Sequence, residues 1–181
     1  RPPRSTPSNS SAASDVYKRQ PWESPLPNPM SPQQNNPVIK SWEILPRGNF
    51  SEYPIVATTH RMVEHLHTGA ITRRLTWLVE MMPEMFVELS RELAEEKGIR
   101  GGDTVTIEST RGSITAKAIV TARLKPYKVN GTTIHYINLP WSWGYKGLST
   151  GDSGNRLTAR IGDPNTGIPE FRAFLCTLHR G

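Results

Sequence analysis

Cysteine is nearly absent. Cys176 is the only one in 181 residues, which excludes an internal disulfide and leaves too few thiolates to hold an iron–sulfur cluster. No run approaches the roughly 18 uninterrupted apolar residues that a membrane helix needs, so no direct membrane insertion is expected, and no stretch has the layout of a signal peptide. With one thiol the compartment, periplasm or cytoplasm, stays open. Acidic residues are outnumbered, 16 against 22 basic ones, for a formal charge of +6. Arg1, Arg4, Lys18 and Arg19 against Asp15 put half of that excess in the first twenty residues. The mild bias left over suits a phosphate-bearing ligand as well as a polynucleotide, and no nucleic-acid partner is expected.

What is present is 35% hydrophobic residues with 14 glycines and 16 prolines, a mix that favours a strand-rich, turn-rich domain over a helical bundle. Residues 1–20, RPPRSTPSNSSAASDVYKRQ, are Ser/Pro-rich and too poor in large apolar side chains to offset ordering entropy, so they read as a disordered tail. Residues 21–50 read as an extended Pro-rich arm, with Trp22, Val38, Ile39 and Trp42 available to pin it onto a surface. Residues 51–181 read as the folded domain. There YPIVATT is a candidate buried strand from Tyr53, and LTWLVEMM a helix with Leu75, Leu78, Val79 and Met82 on one face, closed by Pro83. Met85 to Leu89 reads as a short strand. A helix follows from Arg91 to Lys97, N-capped by Ser90 and stopped by Gly98. TVTIES and ITAKAIV alternate across a tight link as a hairpin, Asn130-Gly131 marks a second hairpin turn, and FRAFLCTLH returns to strand. Strands outnumber helices, which gives a mainly β, barrel-like domain with helical insertions.

The densest polar constellation is Thr58 to Gly69, TTHRMVEHLHTG, between a predicted strand and a predicted helix. Backbone N–H groups point outward unpaired at such a junction, and Arg61, Arg73 and Arg74 add charge-assisted donors, so a phosphate-bearing ligand is expected. His60, His65 and His67 around Glu64 also raise zinc, although their spacing matches no common zinc pattern, and ordinary loop and core histidines are the plain alternative. Trp141 and Trp143, two apart on what reads as a strand end, favour core over a ring-binding pocket. Ser153 in GDSGN resembles a serine-peptidase nucleophile motif without a supporting triad. Cys176 reads as a small core residue, and no catalytic centre is visible.

At THRMVEHLHTGAITRR the sequence resembles the C-terminal dinucleotide-binding domain of the molybdopterin oxidoreductases, the family of formate dehydrogenases and periplasmic nitrate reductases. FVELSRELAEEKGIRGGDTVTIESTRGSITAKAIVT looks like that family's strand, helix and hairpin. LPWSWGYKGLSTGDSGNRLT and GDPNTGIPEFRAFLCTL look like formate dehydrogenase alpha subunits in particular, and PWESPLPN carries the likeness back to Pro21. The resemblance implies a double-psi β-barrel of the aspartate decarboxylase type. It also implies a molybdenum or tungsten bis(molybdopterin guanine dinucleotide) cofactor.

By the same resemblance Thr59, His60, Arg61, Glu64, His65, His67, Thr68, Gly69 and Arg73 would face pterin and pyrophosphate. Asn155 falls where the family has a cofactor-contacting Asn. Arg172 stands where Lys is usual, exchanging a point charge for a planar fork, and Phe171 where Tyr is usual. The catalytic cysteine or selenocysteine with its histidine, and the cysteines of an iron–sulfur cluster, would belong to an N-terminal part not in this chain. Residues 1–20 resemble nothing in the family and read as a junction. The expected partners are the rest of the catalytic subunit and an iron–sulfur electron-transfer subunit. The rival readings are the same domain of a nitrate or other oxyanion reductase, and a free-standing basic binding module.

Overall fold

The computed structural model describes residues 49–144, 147–158 and 172–181. The chain divides into two compact units, one of residues 1–45 and 159–173, the other of residues 46–158 and 174–181. The first contributes only Arg172 and Ala173 to the described residues, so the expected tail of residues 1–20, nearly all of the arm of residues 21–50, and Phe171 lie outside them.

The second unit is built on seven strands: β1 (Ile55–His60), β2 (Phe86–Ser90), β3 (Thr104–Ser109), β4 (Gly112–Thr121), β5 (Tyr127–Val129), β6 (Thr132–Pro140) and β7 (Phe174–Arg180). Their hydrogen-bonded order is β1-β7-β3-β4-β2-β6-β5, and β1 also pairs with β6, which closes six of them into a barrel and leaves β5 as the outer arm of a hairpin. Two pairings are parallel, β1 with β6 and β2 with β4. The rest are antiparallel. This is the expected double-psi β-barrel.

Alternation creates the core. Val105 and Ile107 on β3, and Ile114, Ala116 and Ala118 on β4, turn inward to meet Ile55, Ala57, Val87, Leu89, Ile137, Leu139, Cys176 and Leu178. The hairpin forms because a two-residue link, Thr110-Arg111, keeps both alternations in register, with Ile107 opposite Ile114. Helix α1 is Thr76–Met81 and α2 is Arg91–Lys97. The ends of α2 are as the sequence predicts: the Ser90 hydroxyl accepts from the Leu93 N–H, and Gly98 closes the helix at φ 64°.

Two expectations are corrected in detail. The strand read from Met85 is assigned from Phe86, although the Met85 carbonyl already accepts from Lys117 N at 2.9 Å. Helix α1 forms as expected with no fully buried residue; Leu78 and Val79 are half-buried and Met82, at its C-cap, packs against the core. Strand β6 ends at Pro140, which puts Trp141 and Trp143 in the loop beyond it rather than on one strand face.

Strand direction fixes the two ends of the barrel. Parallel β1 and β6 finish side by side, His60 level with Pro140, and deliver the loops 61–75 and 141–158 to one end. β2, β4 and β7 run the other way and finish at the opposite end.

Candidate functional site

The two loops interlock through Arg73, whose side chain is fully buried at 0% exposure. It lies in a short 3-10 turn, Thr72–Arg74, and its Nη1 donates to the Ser149 carbonyl at 3.2 Å. Its own carbonyl accepts from Leu148 N at 2.9 Å. The backbone permits this approach only because glycines line it. A Cβ on Gly69 would meet the Ser142 carbonyl and come within 2.7 Å of Arg73 Nε, and one on Gly147 would stand 2.8 Å from the Arg73 carbonyl. Gly69 also sits at φ 75°, which side chains seldom adopt. Arg73 therefore staples the two loops from within.

The histidines divide in the same way. His65 is buried at 1% and stands edge-on to Trp143, with ring centroids 5.2 Å apart. Its Nε2 lies 3.0 Å from the Met82 carbonyl. A carbonyl only accepts, so Nε2 is the donor in that bond. His67 faces outward at φ 51° and meets Trp141 edge-on at 6.0 Å, while the Arg61 guanidinium lies 5.9 Å from the centre of the same ring. His60, half-buried at the end of β1, is 5.8 Å from Phe86. These rings diverge, and among the described residues no three His, Cys, Asp or Glu side chains are grouped to hold a metal ion.

Thr59 is buried, Glu64 half-buried and Thr68 exposed on the same loop. Asn155 is exposed on a 3-10 turn, Gly154–Arg156, capped by the Ser153 hydroxyl, so Ser153 has a structural role there. Asp152 holds this segment to β4 by accepting from Thr115 N at 3.0 Å and from Arg156 Nη1 at 3.0 Å. Ser109 Oγ adds a bond to the Leu157 carbonyl at 2.8 Å. Arg172 is exposed and falls in the other unit.

Sequence reasoning missed Ser142, Ser149 and Asp152, since single polar residues in a Gly/Ser-rich loop carry no periodic signal. Where the loops meet, His60 Nδ1, His65 Nδ1, Ser142 Oγ, Trp143 Nε1 and Ser149 Oγ are all buried without a hydrogen-bond partner among the described residues. Native interiors tolerate few such atoms, and a cluster of them marks a place that a polar ligand or ordered water completes. The lip carries Arg61, His67 and Thr68. Donors, acceptors, a cation and aromatic edges together suit a ligand with both a polar ring system and phosphates.

Residues 55–175, two thirds of the chain, match the family described as "Molydopterin dinucleotide binding domain". The chain belongs to that family. Among curated relatives it is 46% identical over 127 residues to the formate dehydrogenase subunit alpha of Megalodesulfovibrio gigas, a match covering 70% of this chain and 12% of that one. It is 42% identical over 166 residues to the formate dehydrogenase 2 subunit alpha (cytochrome c-553) of Nitratidesulfovibrio vulgaris, and equally to the nitrate-inducible formate dehydrogenase major subunit of Escherichia coli. Each of those two matches covers 89% of this chain and 16% of the relative. The chain thus spans less than a fifth of the length of these relatives. The acetylene hydratase of Pelobacter acetylenicus shares the fold at a TM-score of 0.58 and 16% identity, over 83% of this chain and 21% of that one.

For a molybdopterin dinucleotide-binding domain the buried polar atoms acquire a meaning. His60, His65, Ser142, Trp143 and Ser149 offer buried donor and acceptor atoms without partners among the described residues, and that chemistry fits such a cofactor.

Proposed function

We propose that this domain is the cofactor clamp of a formate dehydrogenase catalytic subunit that oxidises formate to carbon dioxide, a proton and two electrons. The observation that carries the reading is the pair of interlocked loops at the ends of β1 and β6, with buried polar atoms on both. The identity to formate dehydrogenase alpha and major subunits over most of the chain supports formate as the substrate. In this reading the cofactor is molybdenum or tungsten bound by two molybdopterin guanine dinucleotides, and when bound it supplies the two-electron redox chemistry.

The chain's own residues do other work. Arg61, His67 and Thr68 on the lip bind phosphate oxygens, and Asn155 orients the ligand from the second loop. His60 and His65 offer imidazole nitrogens to pterin N–H groups. Trp143 and the barrel rim behind it exclude water. Arg73 acts by holding both loops in place. The remaining polypeptide, with an iron–sulfur cluster and the group that ligates the metal, completes the catalytic subunit, and an iron–sulfur subunit takes the electrons.

The test is formate-dependent reduction of a viologen dye by the complete polypeptide purified with its cofactor. Formate activity with none in the 181-residue chain alone is the expected result. Nitrate-dependent dye oxidation without formate activity would transfer the domain to a nitrate reductase.

A further inference from the structure

The barrel end opposite the two loops carries a second polar feature. Strands β2, β4 and β7 finish there, β3 starts there, and α2 lies across it. Arg91 at the start of α2, Arg100 in the turn before β3 and Arg180 at the end of β7 surround an open cleft of about 580 Å³. Its floor is apolar, formed by Ala94, Ile99 and Val120, and Glu95 stands on the wall.

Charge is unevenly compensated there. Asp103 Oδ2 lies 3.3 Å from Arg180 Nε and also accepts from Arg100 N at 2.9 Å. The guanidinium groups of Arg91 and Arg100 have no ion-pair partner among the described residues, and Glu95 is the only carboxylate in the lining. The fold does not need these cations, because α2 is capped by Ser90 and Gly98 and the barrel closes through its strands.

We propose that this cleft docks an acidic peptide segment of a partner polypeptide, with carboxylates on Arg91 and Arg100 and an apolar side chain between them on Ala94, Ile99 and Val120. Guanidinium forks match carboxylates bidentately. The apolar floor argues for a peptide over a small inorganic anion, which would leave that floor wet. Position separates this cleft from the cofactor loops, so the inference stands apart from the cofactor reading.

The experiment is an NMR titration of the 15N-labelled 181-residue chain with a capped peptide alternating glutamate and leucine, at about 0.1 M salt, where surface charges are already screened beyond roughly 10 Å. Shifts of the Arg91 and Arg100 side-chain Nε–H signals and of the amides from Ala94 to Gly101 are expected. Affinity should fall at least about tenfold in the R91Q/R100Q double variant. These side chains are exposed, so the variants keep the parent amide spectrum; Arg180→Gln provides an independent variant with a smaller loss. Absence of binding, equal binding of the glutamine/leucine peptide, or equal shifts with inorganic phosphate would each overturn the proposal. None of those results bears on the opposite end of the barrel.

Discussion

Arg73 shows how a residue singled out for one role can also carry another. Its position in a motif rich in His and Arg suggests a phosphate donor, but the chain folds it inward to bond the Ser149 carbonyl. The signal that separates the two roles is the set of glycines around it, whose meaning becomes visible only when Gly69 and Gly147 are seen against its side chain and carbonyl. Arg73→Met should cost about 1–3 kcal/mol in urea unfolding, because the Ser149 carbonyl is left buried without a donor. Hydrogen exchange should accelerate in residues 66–74 and 147–149 and not in β3 or β4. Uniform acceleration would mean the residue supports the whole fold and not the loops.

Cys176 gives a second residue-scale test. Burial pushes its thiol far above the ordinary range. The folded protein thus keeps the proton where the unfolded chain, with a thiol near about 8.5, releases it. Stability is therefore full below that pH and should decline above it by up to about 1.4 kcal/mol per pH unit under reducing conditions. Tyr136 is raised too, by burial and by Tyr127, and adds the same trend only above about pH 10. Cys176→Ala should flatten the decline between about pH 8.5 and 10, read as urea midpoints across that range; an unchanged slope would assign it elsewhere.

At the scale of elements, legibility followed the kind of signal each element carries. The β3–β4 hairpin was readable because its alternation is strict and its link short, and α2 because both caps are chemical. Ser90→Ala should cost about 1 kcal/mol, measured by denaturant unfolding, with no change in the loops. Helix α1 was readable as a helix, but its half-burial was not, since periodicity defines an apolar face without saying what covers it. The core reading of the Trp141/Trp143 pair holds for Trp143 alone, because the strand stops at Pro140 and the two rings separate, Trp143 into the core and Trp141 onto the lip. The loop 147–158 depends on Asp152, which joins Thr115 and Arg156. Asp152→Ala should loosen that loop while leaving the barrel intact, seen as faster exchange at Thr115 and at Gly154 to Leu157. Unchanged exchange there would show that Ser109 and the buried Leu157 suffice.

For the whole molecule, exposed apolar surface is the most telling property. Val63 at 99%, Leu66, Ile71, Trp77 at 62%, Met81 and Leu148 are all exposed. In the proposed reading these apolar side chains face the rest of the catalytic subunit. It agrees with relatives that are more than five times longer. The isolated chain should accordingly bind a hydrophobic dye, and Trp77→Lys should reduce that signal without altering the urea midpoint by more than about 0.5 kcal/mol in stability terms.

The central claim is that the loops at the ends of β1 and β6 are the cofactor cradle. NMR titration of the 181-residue chain with guanosine diphosphate, which carries the guanine and pyrophosphate of the dinucleotide, tests it directly. Amide shifts confined to Thr59 to Gly69, Trp141 to Gly144 and Gly147 to Asn155 are the expected result. Shifts gathered at Arg91, Arg100 and Arg180 instead, or none at any nucleotide concentration, would contradict it.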